Sequence, residues 1–408
     1  MASSFQPPRG TRDLAPGEMR RRNWIMQTVR AVYERYGYEP LETPAFESWE
    51  LLSAKGGGGD AIRDEIYCFK DKSGRELGLR FDLTVPLARF IASNPQLPKP
   101  FKRYQIGKVW RYDNPQAGRF REFWQADIDT IGSASVEADA ECLAAAASVL
   151  KALGFKSFTV RVNNRKILSA IVKSAGLESV SVAVFRALDK LGKIGEAQTA
   201  KELRSIDPKA PKILDIIKAG FSKLNKSMDG VSELGALVAA CKVYGLDIVP
   251  DLSLVRGLDY YTGSIFEIEA GGGVGSIAGG GRYDRLIGSF GGQDLPAVGI
   301  SIGIDRVAEL LKETTATEKK VYIAIVKDEL RGDAIRLANA LRAEGIQALV
   351  DVSAKDLRKQ LEYVNSNAIP FVLFVGPAEV KAGSFTLRDM KTGKETKLTP
   401  KKIAEFLA

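Results

Sequence analysis

The stretch FKRYQIGKVWRY-DNPQAG-RFREFWQADIDTI, residues 101–131, says most about the fold. Strand-forming residues fill Phe101 to Tyr112 and again Arg119 to Ile131, and the six between, Asp113 to Gly118, are rich in turn formers. The pattern predicts strand, loop, strand: an antiparallel hairpin with an enlarged tip. Because strand side chains alternate, Arg119, Arg121, Phe123, Gln125, Asp127 and Asp129 share one side of the second strand. Glu122, Trp124, Ala126 and Ile128 occupy the other, which is largely apolar. Two readings of the polar side stand at this point. It is either a solvated surface, or a rigid platform whose arginines, with Arg111 on the partner strand, meet an anionic ligand while its aspartates meet a cationic one.

Upstream, Ile25, Val29, Val32, Tyr33 and Tyr36 recur at helical spacing, and Gly37 ends that helix. Two prolines in Tyr38 to Pro44 confine any strand there to a sheet edge or an interface. Asp82-Leu83-Thr84 is either a helix cap or a pair of acceptors for a ligand ammonium. Downstream, Glu137 to Leu153 is an alanine-rich helix. From residue 157 to 231 come short, lysine-rich helical patterns, read as an inserted, mostly helical domain. Strand character returns over Leu252 to Ala270, where Arg256-Gly257-Leu258-Asp259-Tyr260-Tyr261 is a costly sequence for a plain strand. After a glycine cluster, Ala297 to Gly303 leads into a helix whose Arg306 stands near the positive end, a place for phosphate or simply a surface position. Glu313 to Glu318 reads as a linker. Beyond it, strands alternate with helices as in a small doubly wound α/β domain.

Composition bounds the chemistry. The 408 residues are 45% hydrophobic and 27% charged, a globular balance with room for two or three domains. Apolar stretches such as Leu143 to Leu150 fall far short of the ~20 residues a membrane span needs. The opening residues lack the apolar core of a signal peptide, and Cys68, Cys142 and Cys241 stand alone, so a reducing, cytoplasmic setting is expected. Histidine is absent, which removes imidazole bases and histidine metal sites. No phosphate-binding G-x-x-x-x-G-K-[ST] loop occurs. Net charge is +9, and from Lys319 onward 16 basic residues face 11 acidic ones, which hints at a polyanionic partner for the C-terminal part.

Taken together, Leu79 to Pro86, the hairpin from Arg111 to Asp129, Arg256 to Tyr261, and Gly299 to Arg306 resemble a class II aminoacyl-tRNA synthetase, specifically the archaeal and eukaryotic kind of histidyl-tRNA synthetase family. The first helix with Pro44 looks like motif 1, the hairpin like motif 2, and Gly303 to Arg306 like motif 3. The resemblance implies an α+β fold: an antiparallel sheet flanked by helices, a helical insertion domain and a C-terminal α/β anticodon-binding domain. The implied boundaries are residues 1–156 and 232–313 for the catalytic core, 157–231 for the insertion, 314–318 for the linker and 319–408 for the anticodon domain.

It further implies ATP-dependent ligation of histidine to tRNA(His) through a histidyl-adenylate, with Mg2+ on the phosphates and a homodimer through motif 1. By position, Arg111 and Arg256 are the implied catalytic arginines, on the α-phosphate and substrate carboxylate. Asp82, Thr84 and Gln125 are implied for the ammonium, Asp129, Tyr260 and Tyr261 for the imidazole, Arg119 and Arg306 for ATP, and Gln116 for the tRNA acceptor end. Asp82 and Asp129 stand where bacterial relatives carry Glu. The alternative is an inactive paralogue that senses histidine or tRNA as a regulatory subunit. With no histidine in the chain, a limb of activity near pH 6.5 is expected to report the substrate.

Overall fold

A computed structural model describes residues 5–54, 65–112, 119–255, 260–272, 275–311 and 320–407. The expected hairpin tip, the Arg256 to Asp259 signature with its catalytic Arg256, Gln116 and the linker at 314–318 therefore lie outside the described residues. The chain divides into two compact units, Met1–Glu313 and Thr314–Ala408.

The first unit contributes β1 (Glu39–Pro40), β2 (Phe46–Ser48), β3 (Cys68–Lys70), β4 (Glu76–Leu79), β5 (Phe101–Trp110), β6 (Glu122–Ile131), β7 (Thr159–Asn164), β8 (Val249–Pro250), β9 (Ser264–Glu269), β10 (Ser276–Arg282) and β11 (Ala297–Gly303). Eight of them form one sheet in the order β1-β5-β6-β11-β10-β9-β7-β8, antiparallel except for its two edge pairs. The proline-bearing β1 is an edge strand, where a missing N–H costs no ladder bond. β2, β4 and β3 make a small separate sheet.

The hairpin sets the register. Tyr104 pairs with Ile128, Ile128 with Ile300, and Ile106 with Ala126, itself opposite Ile302. These residues, with Ala278 and Ile268, form the apolar face, packed in one core with helices Pro16–Arg35 and Val136–Ala152. The run Ala144 to Ala147 lets the second helix lie close to the sheet. On the opposite face the register stacks rows of polar and small residues: Arg103, Asp129, Gly299 and Gly281; then Gln105, Asp127, Ser301 and Gly279; then Gly107, Gln125 and Gly303.

Two expectations change. The segment from 157 opens with β7, a strand of the large sheet, and its first helix follows Asn164. Its helices are not a separate body either, because Ile171, Val184, Leu203 and Ile213 share the core with Val29 and Ile128. In the second position, Arg119 and Arg121 precede β6 rather than lying within it.

The second unit holds β12 (Lys320–Ile325), β13 (Gln347–Val350), β14 (Phe371–Val375), β15 (Phe385–Asp389) and β16 (Glu395–Leu398), ordered β13-β12-β14-β15-β16. The first three are parallel with helices on both faces, as expected of a doubly wound domain. β15 and β16 add an antiparallel edge that alternation alone does not announce. Among the described residues, no helix is long and apolar enough to cross a membrane.

Candidate active site

The polar face of the large sheet holds a buried charge cluster built around Arg103, which is fully buried. Its Nη2 lies 2.7 Å from Asp129 Oδ2 and donates to the Leu83 carbonyl at 3.1 Å, while Nε and Nη1 have no partner among the described residues. Asp129 also accepts from the Tyr283 hydroxyl. Opposite Asp129 the chain places Gly299, where a Cβ would overlap the Asp129 carboxylate. Glycine there is what allows the carboxylate to lie flat across β11.

Asp82 sits at the mouth of helix Thr84–Ala92 and takes the capping role of the two expected for it. Its Oδ1 caps the helix by accepting from the Val85 N–H at 3.0 Å, and its buried Oδ2 has no partner among the described residues. Among the described residues, buried Gln125 Oε1 likewise has no partner, and Asp127 Oδ1 and Ser301 Oγ, which face each other across β6 and β11, make no well-formed hydrogen bond although the Ser301 hydroxyl acts on the Asp127 charge. Polar atoms left so in a folded protein cost stability unless something else meets them, and here several share the sheet face of the glycine rows. Polarity and missing partners coincide.

Burial governs the charges. It pushes the Asp82 carboxyl up to about 6 and that of Asp127 up to about 7, and it raises Asp129 as well, against the opposing pull of Arg103 on all three. One buried guanidinium thus faces three buried carboxylates, an imbalance that a cationic ligand would relieve.

Aromatic rings line the same region. Tyr260 meets the Thr84 side chain, lies 4.9 Å from Tyr261 with the two rings tilted by 56°, and lies 5.9 Å from Tyr283. Arg111 is anchored by its Nε on the Phe81 carbonyl at 2.9 Å, with its guanidinium 5.5 Å from the Phe123 ring centroid, and its charge acts on both Asp82 and Tyr260. Asp82, Thr84, Arg111, Asp129, Tyr260 and Tyr261 are therefore brought together, with Gln125 on the same sheet face. Arg119 is exposed at the base of the hairpin, and Arg306 donates to the Ser276 carbonyl; neither belongs to the buried cluster.

Three contributors escaped the sequence reading. Arg103 could have been found by pairing Phe101 with Ile131, which puts it across from Asp129. Tyr283, 22 positions beyond Tyr261, has no local signal. Asp305 is the third: its Oδ1 accepts from Arg22 at 2.8 and 3.1 Å and from Arg12 at 3.3 Å, while Oδ2 accepts from the Trp124 N–H at 2.8 Å. The first helix, the hairpin and the helix of Arg306 meet on this one carboxylate.

An antiparallel sheet that buries one face under helices and keeps carboxylates, arginines and glycines on the other, followed by an α/β unit, is the arrangement of a class II aminoacyl-tRNA synthetase. Comparison narrows the class. Residues 10–307 match the family described as histidyl-tRNA synthetase, and residues 320–408 match an anticodon binding domain. The chain is 39% identical to a histidine–tRNA ligase of Aeropyrum pernix, covering 95% of this chain and 94% of that protein, and 36% identical to one of Thermococcus kodakarensis, with 97% of each covered. Its fold superimposes on the crystal structure of histidyl-tRNA synthetase from Nostoc sp. PCC 7120 with a TM-score of 0.85 at 31% identity, covering 100% of this chain and 99% of that one. The chain belongs to the histidyl-tRNA synthetase family.

Proposed function

We propose that this protein activates histidine with ATP and transfers it to its tRNA. The observation that carries the reading is the buried excess of carboxylate on the polar sheet face, beside Arg111, in a chain of this family. Histidine brings a cation, a ring with donor and acceptor nitrogens, and a carboxylate, and the cluster offers a complement to each. Asp82, Thr84 and Gln125 take the ammonium by charge-assisted bonds. Asp129, oriented by Arg103 and Tyr283, takes the imidazole with Tyr260 and Tyr261, so a side chain lacking matched nitrogens leaves buried polar groups unmet.

Adenylation requires no general base, because the amino-acid carboxylate is already ionised at neutral pH. Its oxygen attacks the α-phosphorus, and the bond from that phosphorus to pyrophosphate breaks. The protein's task is alignment and charge stabilisation. Arg111, held by Phe81 and Phe123, is assigned to the α-phosphate, Arg256 to the carboxylate and α-phosphate, and Arg119 and Arg306 to the rest of ATP. Among the described residues no three His, Cys, Asp or Glu side chains are grouped to hold a metal, so Mg2+ is taken here as part of the MgATP substrate. We further assign Gln116 to the tRNA acceptor end, the second unit to the anticodon, the first helix with Pro44 to a homodimer interface, and the cytoplasm as the working compartment.

The test is ATP–pyrophosphate exchange on the purified protein. Exchange should require histidine and should not occur with other amino acids. A folded protein that binds histidine yet gives no exchange would be a sensor, and the enzymatic reading would fall.

A further inference from the structure

The segment ahead of the first helix has no role in the assignments above, yet it touches both elements that carry the outer arginines. Pro8 to Thr11 form a turn in which the Thr11 N–H and hydroxyl donate to the Pro8 carbonyl at 3.0 and 2.7 Å. Gly10 then adopts a φ of +85°, a conformation open to glycine, and its carbonyl accepts from the Arg121 N–H at 2.8 Å. Arg121 Nη1 reaches back to the Arg9 carbonyl at 3.4 Å. The segment thus lies along the base of the hairpin.

Arg12 follows this turn. The guanidinium carbon lies 3.8 Å from the centroid of Phe120, the residue between Arg119 and Arg121. Its Nη2 donates to Asp305 Oδ1 at 3.3 Å, and Asp305 is the neighbour of Arg306. Glu18, 3.9 Å from Nη1, steadies the same group from the first helical turn. One planar cation is therefore in contact with the hairpin base through its face and with the Arg306 helix through its edge.

We propose that Arg12 is a positioning residue for the nucleotide, clamping Phe120 to Asp305 so that Arg119 and Arg306 stand the right distance apart for the phosphate chain of ATP. The inference rests on the assignment of those two arginines to ATP made under Proposed function. Arginine suits the task because its plane stacks on a ring while its edge donates to a carboxylate, which the compact lysine ammonium does not do together. The clamp is not needed for folding. Asp305 keeps both bonds from the buried Arg22 when Arg12 is lost, and the Arg12 side chain is 32% exposed.

The experiment measures histidine-dependent pyrophosphate exchange on the full chain, varying MgATP and histidine separately, for the wild type, Arg12→Ala, Arg12→Lys, Phe120→Leu, Arg306→Ala and the Arg12→Ala/Arg306→Ala pair. Arg12→Ala should raise the KM for ATP about tenfold, the scale of a lost stacked and charge-assisted contact, with the KM for histidine and the Tm unchanged. Phe120→Leu should reproduce that split from the other side of the clamp, and Arg12→Lys should recover only part of it. Because Arg12 acts through placement, the double variant should lose less than the product of the two single effects. An unchanged ATP KM in Arg12→Ala while Arg306→Ala raises it, or equal damage to both substrates, would overturn the clamp. An unchanged ATP KM in Arg306→Ala would overturn the nucleotide assignment itself, and the clamp with it.

Discussion

Asp127 stands between Gln125 and Asp129 on β6, opposite Gln105 on β5 and Ser301 on β11, with Arg103, Asp129 and Asp82 all acting on its charge. Its carboxyl at about 7 and that of Asp82 at about 6 both lie above the ordinary Asp value near 3.9. The folded protein therefore keeps protons that the unfolded chain releases as pH rises from about 4 to 7. Stability contributed by these groups is fullest at the acidic end and is lost as pH rises through the folded values. A bound cation reverses the preference by favouring the ionised carboxylates, so histidine binding should expel protons between about pH 6 and 7. Titration calorimetry in buffers of different ionisation heat should find fewer protons released by Asp127→Asn than by the wild type at pH 6.5. Identical proton counts would remove Asp127 from the histidine site. The expectation that a limb near pH 6.5 mostly reports the substrate imidazole or a phosphate thereby gains a competitor, because burial raises Asp82 and Asp127 toward that range.

At the scale of elements, Asp305 ties the first helix, β6 and the helix Ile304–Leu310 together through Arg22, Trp124 and Arg12. Arg22 is 3% exposed, so Asp305→Ala would leave a buried guanidinium without its carboxylate, with the Glu18 carbonyl at 3.5 Å as a weak acceptor. Removing one partner of a buried pair costs about 3–5 kcal/mol, and denaturant unfolding of Asp305→Ala should register a loss of that order. A loss below about 1 kcal/mol, the range of an exposed ion pair, would refute the hub. These elements were readable in advance to different degrees. The hairpin, the first helix and the strand Ala297–Gly303 carry their periodicity in local sequence. The glycine run Gly279 to Gly281 carries none, and yet it is the middle of β10, because a Cβ at Gly280 would collide with the backbone of Gly299 and Ile300 on the neighbouring strand. Close approach between strands, rather than strand propensity, explains it.

At the scale of the whole molecule, each unit has its own core: Val29, Ile128 and Leu143 belong to one, Val321, Leu341 and Leu373 to the other. A chain stopped at Glu318 should therefore fold and keep histidine-dependent pyrophosphate exchange, since every residue assigned to histidine and ATP precedes that point. Charging should suffer through tRNA affinity, and the salt dependence of tRNA binding should become shallower as basic residues that meet phosphates are removed. Exchange and charging by full-length and truncated protein, with circular dichroism to verify folding, decide the matter. Unchanged tRNA affinity would refute the division of labour, and lost exchange in a folded truncation would show that the second unit supports catalysis.

Local pattern was enough to read the hairpin, the first helix and the two-part chain, because alternation and helical spacing are properties of short segments, whereas the α+β architecture and the candidate roles of Asp82, Thr84, Tyr260 and Tyr261 came only with the resemblance to the family. Register and burial were not readable in this way. Whether Asp129 faces solvent or a fully buried Arg103 depends on which residue β5 sets opposite it, and whether Asp127 holds a proton at neutral pH depends on how much water the helices and strands exclude. Asp305, Arg22 and Arg12 show the same limit: Asp305 lies 283 residues from Arg22 and 293 from Arg12 along the chain, and only the packed structure makes them one site.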